Sequence, residues 1–397
     1  MKKYYLLLML FPICLPGLTQ LNMKEVVQAL DKAAYPVKTL EQEGDPEDLA
    51  CLKTMIGSAR VIGLGESTHG TAAFNQCKRR MLRFLVSEMK VKAIVDEGDL
   101  LAAEKLDDYI NGRADTIDYI GGVRPMLSNR ELLQWLRNFN KDKTEADRVH
   151  IYGAEVRGFY GIIKKIQPLM AFTEDEKKVL DRFAGDAGVG YKNLAKADFE
   201  DLKPVAKKLA AGCPTAACRY YGALLEQQID VAYRYRFGKN DFEVRDHYMF
   251  ENIRRIAAQV PDGKLVINAH NGHLQKTKFM AITSLGVLLN SFFKQEYFVV
   301  ATDFGEGNVS VYSEKHQGFT DQYFGPVADK NAVEFYFKQC RYPDFMVSTR
   351  EGGAALGTLM QKKMFMKRNM GATGVVIKSR IRMADNYDLI VFLRQTR

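Results

Sequence analysis

Residues 61–71 read VIGLGESTHGT. A short apolar run breaks into Gly63, Gly65, Glu66, Ser67, Thr68, His69 and Gly70, and a long helical pattern follows. This is the signature of a strand that ends in a loop opening a helix. In open α/β sheets, ligands bind at such junctions. The glycines allow a tight turn and close approach to a ligand, and Ser67 or Thr68 can cap the following helix. The plain alternative is a capped turn carrying a solvated Glu and His, so the rest of the chain has to decide.

The helix predicted over 70–90 has an apolar stripe of Phe74, Met81, Leu82, Leu85 and Met89, and Lys78 falls in its middle. A lysine on the core side near a helix N-terminus opposes both burial and the helix dipole. It either meets a carboxylate or snorkels its stem outward. The carboxylate candidates are Glu66 and Glu97. Glu97 closes the next predicted strand, 92–98 (KAIVDEG). Parallel strands of βαβ units end on one side of a sheet, so Glu66, His69 and Glu97 should converge at one rim. A third strand, 149–154, is closed by Glu155, with Arg157 and Gly158 after it. A fourth, 264–269, runs straight into His270, Asn271, Gly272 and His273. In the helix predicted over 241–259, Arg245 lies inside the apolar stripe. Asp246 borders that stripe but points about 100° away from Arg245. His150, His247 and His316 read as ordinary surface or packing residues.

Helices are expected at 24–34, 47–58, 100–110 and 129–140, with a loop through Gly121, Gly122 and Pro125 before the last of these. From 173 to 239 the pattern is amphipathic helix with no strand, which predicts a helical insertion or cap over the sheet. A helix to 293, a strand at 297–302, a turn at Gly305-Glu306-Gly307, a loop-rich stretch at 314–344 and a closing strand at 387–393 complete the reading. The fold class is therefore α/β: a three-layer core with a largely parallel sheet flanked by helices, plus the helical insertion. No repeat or linker divides residues 21–397.

Hydrophobic residues make up 47% of the 397 and charged residues 26%, which is ordinary for a globular protein of one large or two modest domains. The net charge of +9 is scattered rather than collected into a run, which argues against nucleic-acid binding. Residues 1–20 carry Lys2 and Lys3, an apolar run too short to span a bilayer, then Pro16, Gly17 and Thr19: a secretory signal peptide cut near 17–20. No small residue precedes Cys14, so lipid anchoring is not expected. No later segment reaches 18 apolar residues, so no stable membrane insertion is expected and an exported, periplasmic protein is. Five of the six cysteines then remain. Cys213 and Cys218 either pair across a CPTAAC turn or stay as thiols, and no spacing matches a zinc knuckle or CxxC motif.

The segments GESTHGT (65–71), VDEG (95–98), RDHYMFEN (245–252), AHNGH (269–273) and FGEG (304–307) together resemble the erythromycin esterase family. The resemblance implies an α/β core with a pocket that hydrolyses an ester or lactone, its substrate a small molecule such as a macrolide or another hydrophobic ester. His69 matches the base that activates water, with Glu66, Glu97 and His270 beside it as the catalytic set and His273, Lys78 and Arg245 on the substrate side. Lys78 stands where some relatives carry arginine, and Ala73 where many carry an acid. No cofactor and no metal are implied. A neutral imidazole can take a proton from water while a carboxylate orients it. Lys78 and Arg245 would stabilise an oxyanion or pair with the glutamates. No GxSxG elbow is present, so a serine nucleophile is not expected. Two alternatives stay open. One is a divalent ion held by Glu66, His69, Glu97, His270 and His273. The other is a non-catalytic periplasmic binding or envelope-polysaccharide accessory protein. The sequence gives no oligomeric state.

Overall fold

The computed structural model describes residues 21–117, 122–184, 194–238, 241–278, 281–376 and 379–396. The signal-peptide reading of 1–20, Cys14 included, and Gly121 of the predicted loop lie outside these residues.

A nine-stranded sheet organises the described residues. Its strands are β1 (Tyr35–Pro36), β2 (Val61–Glu66), β3 (Val91–Asp99), β4 (His150–Glu155), β5 (Lys264–His270), β6 (Tyr297–Ser313), β7 (Gly318–Phe324), β8 (Asp344–Ser348) and β11 (Leu389–Thr396). β9 (Met364–Phe365) and β10 (Arg380–Ile381) form a separate antiparallel ribbon. The order is β1-β8-β11-β6-β2-β5-β3-β4, with β7 paired to β6. From β11 through β4 every pairing is parallel; β1, β7 and β8 join antiparallel. β2 lies between β5 and β6, so the chain leaves it in one direction for β3 and later fills both of its sides. Strand order therefore reverses beside β2, the place where α/β sheets open a ligand crevice at their carboxyl ends.

Alternation along the strands sorts the core into two layers. Ile62, Leu64, Ile94, Val266 and Val300 face one side, where the helix Ala72–Glu88 lays down Phe74, Met81, Leu82 and Leu85. Val61, Val95, Leu265, Ile267 and Val299 face the other, under Met249, Ile253 and Ile256 of the helix Asp241–Gln259. The helices Tyr160–Ile166, Glu174–Ala184, Lys196–Gly212 and Ala216–Phe237 share a third apolar cluster around Phe159, Phe183, Phe199 and Leu225. Cys213 and Cys218, left open by the sequence, are joined in a disulfide with Cα atoms 5.7 Å apart. No helix among the described residues is long and apolar enough to cross a membrane.

The last third departs from expectation. Gly305-Glu306-Gly307 is not a turn but the middle of β6, which runs on for 17 residues. A Cβ on Gly307, whose φ is +133°, would lie 2.1 Å from Thr396 Oγ1, so the glycine marks close strand contact with β11. The stretch expected to be loop-rich holds β7 and the short helix Val333–Phe337. The extended β6 reaches the first loop: Ser310 N donates to Gly70 O at 3.2 Å. A Cβ on Gly70 would sit 1.7 Å from Ser310 O, so no larger residue fits there without moving β6.

Candidate active site

Strand parity places two charge networks on opposite faces of the sheet, both at the carboxyl ends of its strands. Glu66 ends β2 with its side chain on the face of Ile62 and Leu64. There it meets Lys78, which comes down from the helix Ala72–Glu88. The Lys78 ammonium donates to Glu66 Oε2 and, at 2.7 Å, to Asn268 Oδ1. Lys78 and Glu66 are each only 1% exposed, so the pairing expected from the apolar stripe is present and the stem does not snorkel. The other Glu66 oxygen lies 2.7 Å from His69 Nδ1. Burial alone would raise the Glu66 carboxyl, but the Lys78 charge and the His69 contact hold it at about 2. Glu66 is therefore ionised, and a neutral His69 carries its proton on Nδ1 and leaves Nε2 with a free lone pair.

Glu97, of opposite parity, enters the second network. Its Oε1 accepts from Arg124 and, at 3.0 Å, from Arg245; His273 Nε2 is 3.3 Å away, and Oε2 accepts from His270 N at 2.9 Å. Burial disfavours its charge, yet His273 and Arg124 hold it well below the usual range. Arg245 also grips both oxygens of Glu155, one of them at 2.7 Å, and Arg157 donates to Glu155 at 2.8 Å. Asp246 faces away from Arg245, as its helical position predicts. It is fully buried, with Oδ1 2.7 Å from His273 Nδ1 and Oδ2 accepting from Leu285 N at 2.7 Å. Burial works against an imidazolium, but Asp246 and Glu97 raise His273 to about 9.

His270 sits where the two networks meet. Its Nδ1 accepts from Gly272 N at 3.1 Å and its Nε2 lies 3.2 Å from Ser67 O, so both ring nitrogens are used by the backbone. Burial lowers it to about 3, with its neighbours His69 and His273 adding to the effect, and it stays neutral. Ser67 O also accepts from Met370 N at 2.8 Å, which ties the 67–71 loop to a segment 300 residues later.

All seven expected residues thus gather at one rim, but their situations differ. His69 and Arg245 keep side-chain exposures of 15% and 22%, whereas His273 has 5% and Lys78 1%. Lys78 and His273, expected on the substrate side, are each enclosed by their own ion pairs, behind the residues that reach solvent. Arg124 and Asn268 join the site unexpectedly, as do Asp96, Asp246 and Glu155 in their ion-pair and hydrogen-bond roles. Glu155 repeats the strand-closing acid of β2 and β3, and Asn268 is a polar residue in an otherwise apolar strand; both were available as signals. Arg124 sits in an irregular loop and had none.

His273 and His270 set a pH dependence of folding. The folded protein holds His273 at about 9 against the ordinary 6.5, so its contribution is whole below pH 6.5 and is lost as pH rises through 9. His270, lowered from 6.5 to about 3, contributes above pH 6.5 and loses its contribution as pH falls toward 3. Thermal melts across this range are expected to show stability declining on both sides of a maximum near neutrality. In Asp246→Asn the alkaline decline should shrink; an unchanged decline would place its origin outside the His273 pair.

A metal is poorly served here. The oxygens of Glu66 and Glu97 already face ammonium, guanidinium, imidazole and amide donors, which repel a cation. Among the described residues no group of three His, Cys, Asp or Glu is placed to hold an ion.

The family model for erythromycin esterase matches residues 86–396, a span containing Glu97, Arg124, Glu155, Arg245, His270 and His273. Erythromycin esterase type II of Escherichia coli is 21% identical over 329 residues, covering 70% of this chain and 77% of that protein. Two solved structures share the fold. One, a succinoglycan biosynthesis protein, has a TM-score of 0.80 at 20% identity, covering 95% of this chain and 98% of its own. The other, a mutant of the erythromycin esterase EreC in its open conformation, has a TM-score of 0.69 at 18% identity, covering 92% and 98%. With the matched model spanning most of the chain, the protein belongs to the erythromycin esterase family.

Proposed function

We propose that this protein is an exported carboxylic ester hydrolase that cleaves an ester or lactone with water activated by His69. Family membership supports a hydrolase; the observation that carries the mechanism is the Glu66–His69 contact. An ionised, buried carboxylate at 2.7 Å from Nδ1 aims the opposite nitrogen, on a partly exposed ring, outward as a base. Arg124 and Arg245, both bonded to Glu97 at the same rim, keep side-chain exposures of 17% and 22% and serve as the cations for a developing oxyanion. Glu97 and Glu155 hold those guanidinium groups in place, Lys78 backs Glu66, and His270 and His273 brace the loops. A serine nucleophile is disfavoured because the buried Ser67 hydroxyl has no hydrogen-bond partner among the described residues, and no imidazole is placed to deprotonate it. The relatives' names make a macrolide lactone the first substrate to try, with simple aryl esters beside it.

Rapid-quench assays on p-nitrophenyl esters and erythromycin test this reading. Product alcohol should appear linearly, without a burst, and intact-mass analysis should find no acyl adduct. A burst equal to the enzyme concentration with an acyl group on Ser67 would replace the water mechanism with a covalent one.

A further inference from the structure

The hydrogen bonds behind His69 do not stop at Lys78. Asn268 Oδ1 accepts from Lys78 Nζ at 2.7 Å, and Asn268 Nδ2 donates to Asp96 Oδ1 at 2.6 Å. The other Asp96 oxygen accepts from Arg124 N at 2.7 Å. Asn268 and Asp96 are direct partners in the β5–β3 register and both are completely buried. An apolar pair would occupy that place at lower desolvation cost. What the polar pair adds is direction. An amide has one acceptor end and one donor end, and here both ends are decided: the oxygen must face an ammonium and the nitrogen a carboxylate. Reversing it would set Nδ2 against Nζ and Oδ1 against Asp96. Lys78, by contrast, is a point charge on a flexible stem, and Glu66 alone would leave its ammonium free to swing.

We propose that Asp96 and Asn268 are positioning residues for His69: Asp96 orients the Asn268 amide, the amide fixes the Lys78 ammonium, and the ammonium fixes the Glu66 carboxylate that aims the imidazole. This rests on the reading of His69 as the base, and it adds two residues remote from solvent to that base's support.

The test exchanges the two side chains in the full chain. Asp96→Asn leaves a donor where Asn268 Nδ2 or Arg124 N already donates. Asn268→Asp sets two carboxylates against each other. The double exchange restores every bond: the amide at 96 accepts from Arg124 N and donates to the carboxylate at 268, which accepts from Lys78. The readouts are the His69 ring tautomer by 15N NMR, which needs no substrate, and kcat and KM with a p-nitrophenyl ester. Each single variant should spread His69 over both tautomers and lower kcat by about 10²-fold, with KM changed by no more than about 2-fold. The double exchange should return the single Nδ1–H tautomer and bring kcat to within about 10-fold of wild type. Folded single variants with the wild-type tautomer and rate would overturn the proposal, as would a double exchange no better than either single. Should His69→Asn hydrolyse at the wild-type rate, the base assignment fails, and the tautomer measurement still decides whether Asp96 and Asn268 position the ring.

Discussion

His69→Asn is expected to lower kcat for ester hydrolysis by about 10²- to 10⁴-fold, the range that a positioned general base contributes. Asparagine can still reach Glu66 with its amide, so the loop keeps its hydrogen bond while the basic nitrogen is lost. The expected signature is a fall in kcat with KM little changed, because the lost group acts on water in the transition state rather than on bound substrate. Near-normal turnover by His69→Asn would remove the imidazole from the mechanism.

The largest effect on folding is expected at Lys78. Its ammonium is the sole lysine or arginine cation paired with Glu66 among the described residues, both groups being about 1% exposed. Lys78→Met therefore strands a carboxylate in the sheet, and removing one partner of a buried pair costs about 3–5 kcal/mol. Urea unfolding at neutral pH should give a lower midpoint with an unchanged slope. The double variant Lys78→Met/Glu66→Gln should recover part of that loss, since a neutral amide is cheaper to bury than a lone carboxylate. A loss below about 1 kcal/mol for Lys78→Met would mean that water or another group reaches Glu66 and that the pair is not closed.

The central strands were legible because burial on both faces writes them as short apolar runs, and each run ends in a residue the core cannot accept: Glu66, Glu97, Glu155, His270. Lys78 was legible for the same reason, a charge inside an apolar stripe, and Arg245 likewise. The ion-pair partners of Arg245 were not, because Glu97 and Glu155 lie 148 and 90 residues away and only strand order brings them together. Nor could parity alone show that His273 would be enclosed; that depends on Asp246 and Glu97 both reaching it. The length of β6 is hidden in the sequence because its glycines look like turn residues, whereas they relieve crowding against a strand that arrives near the end of the chain. Arg124 lies in a loop without periodicity, so no pattern pointed to it.

The place of β2 in the sheet also has a consequence for the chain as it is made. Val61 pairs with Leu265 on one side and Tyr297 on the other. At a synthesis rate of about 5–20 residues per second, β2 emerges from the ribosome roughly 10–40 seconds before either neighbour exists. During that interval both edges of this strand, all six residues of which end up buried, are open to any other strand in reach, and the nearby helix Ala72–Glu88 can shield one face but neither edge. The loop that closes on Ser67 and His69, around Met370 and Gly371, arrives later still. A nascent chain stopped short of it would hold all seven residues of the rim and yet lack the backbone bonds by which Met370 and Gly371 hold the 67–69 segment.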